Sequence, residues 1–139
     1  MSDRSLILYT TVGVRDLTRA TAFYDAVFGA LGCQRSGEAS EGWAGWGPGY
    51  DDGVSFWICK PFDGRVPTPG NGTMIALRAR NEADVVAFHD AALAHGGTSE
   101  GAPGTRPYYE PSFYVAYVRD PDGNKLACVY HRHDPQRRG

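Results

Sequence analysis

VRDLTRATAFYDAVFGALG at 14–32 and ARNEADVVAFHDAALAHGG at 79–97 are two versions of one segment. At a shift of 65 residues Arg15 falls on Arg80, Ala22 on Ala87, Phe23 on Phe88, Asp25 on Asp90, Ala26 on Ala91 and Gly32 on Gly97. Six identities in 19 positions stand against the roughly one that unrelated segments share, and self-similarity at a fixed shift marks a repeated structural unit.

Both copies read as strand, cap, amphipathic helix, glycine stop. In the first, 6–14 is rich in β-branched and aromatic residues and predicts a strand. Asp16 can accept from the first free helix amides. Leu17, Ala20, Phe23, Tyr24, Val27 and Phe28 then share one helical face, and Gly29 and Gly32 stop it. In the second, 73–79 is the strand, Asn81 the cap, and Val85, Phe88, Ala92 and Leu93 the stripe before Gly96 and Gly97. Strand-like runs follow each helix, at 43–46 and 54–60 in the first copy and at 113–118 and 125–131 in the second. Asp120-Pro121-Asp122-Gly123-Asn124 is a hairpin turn between the last two. The Pro- and Gly-rich stretch 61–72 is the linker between copies. Each copy is thus about β-α-β-β-β, with two of its three later strands placed.

The 139 residues fit one domain, with module one at about 5–62 and module two at about 72–132. With 42% hydrophobic and 22% charged residues, the composition is that of a globular chain. A net charge of -2 gives no reason to expect nucleic acid or an anionic membrane as partner. No secretory leader pattern is read, and no apolar run approaches the roughly 18 residues of a span. Cys33, Cys59 and Cys128 are odd in number and widely spaced, which points to reduced thiols and a cytoplasmic location.

Val12-Gly13-Val14-Arg15-Asp16 through Ala22-Phe23-Tyr24, together with the 120–124 turn, resembles the vicinal-oxygen-chelate superfamily, the glyoxalase, bleomycin-resistance and extradiol-dioxygenase group. Gly101-Ala102-Pro103-Gly104-Thr105-Arg106-Pro107, followed by Tyr109, Pro111 and Tyr114, resembles an uncharacterised bacterial glyoxalase-like subgroup. The resemblance implies an α+β fold, two tandem βαβββ modules forming curved mixed sheets around a shared cavity. It also implies a homodimer, because relatives commonly pair or swap modules. Relatives include lyases, isomerases, dioxygenases and drug-binding proteins, so the fold leaves the function open.

In metal-using relatives the ligands come from the first and last strand of each module. The first-strand position, seven residues before the capping Asp, is Tyr9, and the 65-residue shift carries it to Met74. The last-strand position, three residues after the turn Asn, is Ala127, and superposing Asp52-Gly53 on Asp122-Gly123 carries it to Trp57. A divalent metal wants imidazole and carboxylate. Ala and Trp donate nothing useful, Met is soft, and Tyr binds only after losing a proton at about pKa 10. The expectation is no metal and no cofactor.

What remains is an aromatic site. Tyr9, Trp57, Met74 and Ala127 are its candidate lining, with Trp43 and Trp46 in a Gly-rich wall at 42–53 and Tyr108, Tyr109, Phe113, Tyr114 and Tyr117 along 98–118, of which Tyr109 and Tyr114 are taken as lining. Arg106 is the cation among these aromatics; it can clamp a carboxylate or phosphate, stack on a ring, or pair with Glu110 or a loop carbonyl. His89 and His95 are read as helix-surface residues. His131 and His133 form an HxH at a strand end that runs into a basic, solvated tail. Three functions are compatible: a metal-independent binder of a planar or amphipathic small molecule; a lyase, isomerase or dioxygenase with an unusual or relocated metal site; and an assembly module.

Overall fold

The computed structural model describes residues 5–36 and 42–137. Strands β1 (Tyr9–Gly13), β2 (Trp43–Trp46) and β3 (Ser55–Cys59) with helix α1 (Leu17–Ala30) make module one. Strands β4 (Ile75–Arg78), β5 (Thr98–Gly104), β6 (Tyr114–Arg119) and β7 (Lys125–Tyr130) with helix α2 (Glu82–Ala94) make module two. Each module is one mixed sheet, in the order β1-β3-β2 and β4-β7-β6-β5, with a parallel pair at β1/β3 and at β4/β7. No helix among the described residues is long and apolar enough to cross a membrane.

The helices form where the caps and stripes place them. Asp16 accepts from the amide of Arg19, and Asn81 from that of Asp84. The face of α1 bearing Ala20, Phe23, Tyr24, Val27 and Phe28 is buried, as expected; the helix passes through Gly29 and ends at Leu31, before Gly32 at φ +75°. On α2, Val85, Phe88 and Ala92 are buried, but Leu93 is exposed. The two helices pack on each other and each lies on its own sheet, so Val14, Phe23, Trp46 and Ile58 share one core with Phe88, Val118 and Leu126.

The third later strand of module two is β5, sequence TSEGAPG. Its Gly and Pro carry no strand propensity; it exists because it pairs with β6, with irregularities on either side of Gly101. In module one its counterpart is a single bridge between Arg35 and Trp46, and 37–41 lie outside the described residues.

The ends of the histidine-rich stretches differ from expectation. His89 is buried, its Nε2 hydrogen-bonded with Ser99 Oγ at 2.8 Å, because α2 turns it toward β5. His131 sits beside Arg78, while His133 meets Glu82 at 2.8 Å, so the HxH pair separates onto different partners. The tail is docked as far as Arg137, which donates to both oxygens of Glu82 at the start of α2; Arg138 lies outside the described residues.

Candidate functional site

Strand alternation decides which side chains are available to a ligand. In β3, Phe56 and Ile58 enter the core, so Trp57 faces the opposite side of the sheet. In β7, Leu126 and Cys128 enter the core, so Lys125, Ala127 and Val129 face away from α2. Thr11 lies opposite Trp57 and Ala76 opposite Ala127. Tyr9 precedes Thr11 by two residues, and Met74 precedes Ala76 by two. All four positions that the resemblance singles out therefore occupy equivalent places, each on the sheet face turned away from the helices.

The two sheets do not bring the four together. β1 and β3 make no contact with β4 or β7. Two cavities, one on each module, have no lining residue in common. The one on module one, about 550 Å³, is walled by Thr11, Trp43, Cys59, Phe62, Val66 and Pro67. The one on module two, about 740 Å³, is walled by Met74, Glu100, Arg106, Tyr109, Tyr117, Arg119 and Lys125 among others. The linker does more than connect: Pro61, Phe62 and Pro67 line the first cavity and Pro69–Thr73 the second. It is held there by close packing, since a Cβ on Gly13 would meet Pro67 at 3.0 Å and one on Gly123 would meet Pro69 at 3.2 Å.

Beside the first cavity the indoles of Trp43 and Trp57 meet edge to face at 6.4 Å. Trp57 lies flat across Gly45, where a Cβ would come within 2.5 Å of its ring; only glycine leaves that space. Its Nε1 is buried without a hydrogen-bond partner among the described residues. Burial also pushes the nearby Cys59 thiol up from its ordinary range.

In the second cavity Tyr117 is the floor. The Arg106 guanidinium stands 5.6 Å and the Lys125 ammonium 5.3 Å from its ring centroid. Arg106 donates to the carbonyls of Ala102 at 2.7 Å and Thr105 at 3.1 Å, so of its expected partners it takes the loop carbonyls. Arg119 pairs with Glu100 and donates to the carbonyl of Gly123 at 2.7 Å. Burial first, and then the hydrogen bond with Tyr109, holds the Tyr117 phenol well above its ordinary range, so it stays protonated.

Two expected lining residues lie elsewhere. Trp46 is fully buried against α1, stacked on Phe28 at 5.5 Å and donating through Nε1 to Asp25 at 3.0 Å. Tyr114 packs against the helix-side core and the His133 ring. Each is three residues from a residue that does face outward, Trp43 and Tyr117, and an odd spacing in a strand puts two side chains on opposite faces. The expected Gly-rich wall at 42–53 is in part the regular strand β2, one tryptophan on each face. Tyr117 belongs to the expected aromatic segment 98–118; Lys125, Arg119 and Glu100 were not anticipated. Lys125 was findable, since it stands two residues before Ala127 and shares its face.

The sequence profile of the Glyoxalase/Bleomycin resistance protein/Dioxygenase superfamily matches residues 6–128. Among solved structures, a glyoxalase/bleomycin resistance protein from Albidiferax ferrireducens is 36% identical, superposes with a TM-score of 0.80, and is matched over 91% of this chain and 98% of its own. A glyoxalase-related enzyme from Fulvimarina pelagi has 20% identity, a TM-score of 0.70 and coverage of 91% and 88%. A lactoylglutathione lyase from Agrobacterium tumefaciens has 20% identity, a TM-score of 0.61 and coverage of 92% and 95%. The last two show likeness of fold alone. No protein of curated function matches the sequence.

Proposed function

This chain belongs to the glyoxalase/bleomycin resistance protein/dioxygenase superfamily, and from that membership we propose that it is a metal-independent binding protein for a small molecule held against the outward faces of its sheets. The donor chemistry at the four equivalent positions carries the reading. Ala127 has no donor atom, Trp57 offers only an N–H, and Met74 a soft thioether. Tyr9 is half exposed and would have to surrender its proton. These residues do not fit a divalent metal. Among the described residues no three His, Cys, Asp or Glu side chains gather elsewhere as one would need. In place of ligands the faces present aromatic rings, the usual lining of small-molecule sites.

The same reading includes a homodimer. Each sheet offers half a site, and the two halves of one chain do not face each other. Among the described residues β1 pairs only with β3 and its other edge has no strand partner, and Leu6, Ile7, Leu8 and Tyr9 are exposed there. Such an edge needs covering, and a second copy covers it while setting one module's cavity against another's. A cytoplasmic setting accords with three free cysteines.

The test is a thermal-shift and tryptophan-quenching screen of planar metabolites and drugs beside iron(II), nickel, zinc and manganese. At least one organic ligand should raise Tm and quench emission, and no metal should. Stoichiometric divalent metal in the purified protein by elemental analysis, or a metal-dependent rise in Tm, would overturn the reading.

A further inference from the structure

The cavity of module two carries charge that the chain does not neutralise. Its charged lining residues are Glu100, Arg106, Arg119 and Lys125, three basic side chains to one acidic, in a protein that is net acidic. Arg119 is committed, to Glu100 and to the Gly123 carbonyl. Among the described residues Arg106 donates only to carbonyls, which orient it without cancelling its charge and leave donors on its five-donor fork unused. Lys125 makes no ion pair among the described residues; it meets the ring of Tyr117 and feels the Glu100 carboxylate that Arg119 already pairs with.

Arg106 and Lys125, neither in an ion pair among the described residues, thus converge on one aromatic ring. Gly101 makes this possible, since a Cβ there would come within 2.8 Å of the guanidinium and 3.0 Å of the Tyr117 ring. Two like charges gathered in a concave, partly desolvated wall repel each other and focus a positive potential outward. An oxyanion in the cavity relieves that repulsion, takes paired hydrogen bonds from Arg106, and meets Lys125 as a point charge. The phenol of Tyr117 stays protonated, so no phenolate competes for the same cations. Beside this centre, Met74, Tyr108 and Tyr109 supply apolar surface for the rest of a molecule.

We propose that this cavity is the subsite for the head group of an anionic ligand, a carboxylate or phosphate on an apolar or aromatic body, held by Arg106 and Lys125 beside Tyr117. This rests on the small-molecule-binding reading above and adds to it the ligand's charge and its placement.

Three naphthalenes of one shape separate the alternatives: 1-naphthoate, 1-naphthyl phosphate and the neutral 1-naphthamide, titrated calorimetrically into wild-type protein and into R106Q/K125Q. At least one anion should bind wild type ten times or more tightly than the amide. The double variant should lose most of that preference while keeping amide affinity, and the better of the two anions identifies the head group. Rising salt should weaken anion binding and leave the amide unchanged. Amide binding as tight as both anions overturns the anion subsite and leaves the binding reading standing. An anion preference that survives in R106Q/K125Q, with circular dichroism showing that variant folded, overturns the assignment to these residues. If none of the three binds wild type at millimolar concentration, both readings fall. Because the amide and anion comparison is made on wild type, the result does not depend on the variant folding.

Discussion

The hydroxyl of Tyr24 donates a 2.6 Å hydrogen bond to Oδ2 of Asp120, tying the first helix to the last hairpin across 96 residues of chain. Asp120 also accepts from the amides of Asp122 and Asn124 and from the Asn124 side chain, which in turn donates to the carbonyl of Gly13. The amide of Arg15 donates to Asp122. The DPDGN turn is therefore the clasp between modules as well as a hairpin. Burial and the neighbouring Asp120 keep the Tyr24 phenol protonated and donating.

Tyr24→Phe should cost about 1–3 kcal/mol, the usual loss when a buried acceptor forfeits one partner. Equilibrium urea denaturation measures it. A loss below about 0.5 kcal/mol would mean that the remaining donors satisfy Asp120 unaided.

Trp46 and Trp43 should respond in opposite ways to truncation. Trp46→Ala removes a fully buried ring stacked on Phe28 and should cost about 3–5 kcal/mol. Trp43→Ala removes a ring already 44% exposed and should cost the chain no more than about 1 kcal/mol. Unfolding curves for the two variants, taken at equal protein concentration, check the facing of β2; the reverse order would refute it.

Cys128 should be silent toward thiol reagents in the native state. Burial pushes its thiol up to about 12, so at pH 8 only about one molecule in ten thousand carries the reactive thiolate. Ellman's reagent should find at most two accessible thiols, and the third only in denaturant. Rapid reaction of all three in native buffer would contradict the packing of β7.

Glu82 couples the tail to stability in acid. Hydrogen bonding from His133 and pairing with Arg137 hold its carboxyl below the ordinary carboxylate range. A depressed carboxyl contributes stability that is present above its unfolded value, about 4.3, and is lost as pH falls through its folded value. Glu82→Gln should flatten the decline of Tm between about pH 5 and 3 relative to wild type. Parallel Tm–pH curves would show that the tail contributes nothing there.

The blank ligand positions can be refilled. Tyr9→His, Met74→His and Ala127→Glu together supply two imidazoles and a carboxylate, the set open iron sites use. Within one chain the sheets hold these positions apart. The proposed dimer would bring the Tyr9 position of one copy to the Met74 and Ala127 positions of the other. Light scattering should give twice the 15.1 kDa chain mass, and zinc or iron(II) should raise the Tm of the triple variant but not of wild type. Replacing Ala127→Glu by Val129→Glu keeps the face but moves the carboxylate about 6–7 Å along the strand, and the gain should vanish. A monomer that gains stability with metal would place both sheets around one intrachain site and refute the dimer reading.

Local and periodic features are legible in the residues alone. Asp16 and Asn81 cap the helices because a side-chain oxygen before a helix satisfies its free amides, and Phe23 and Phe88 are core because helical spacing gives them one face. The 65-residue repeat established two modules, and the equivalence of Tyr9 with Met74 and of Trp57 with Ala127 holds in the sheets. Other features depend on partners distant in sequence and emerge only when the chain is folded. TSEGAPG is a strand because β6 is beside it, and Pro61–Gly72 becomes a wall of both cavities because Gly13 and Gly123 admit it closely. Trp46 and Tyr114 face the core because a strand's phase is set by which neighbour is buried, and composition is blind to phase. The cations around Tyr117 come from β5's exit loop and from β6 and β7, and only the pairing of those strands brings Arg106 and Lys125 to one ring.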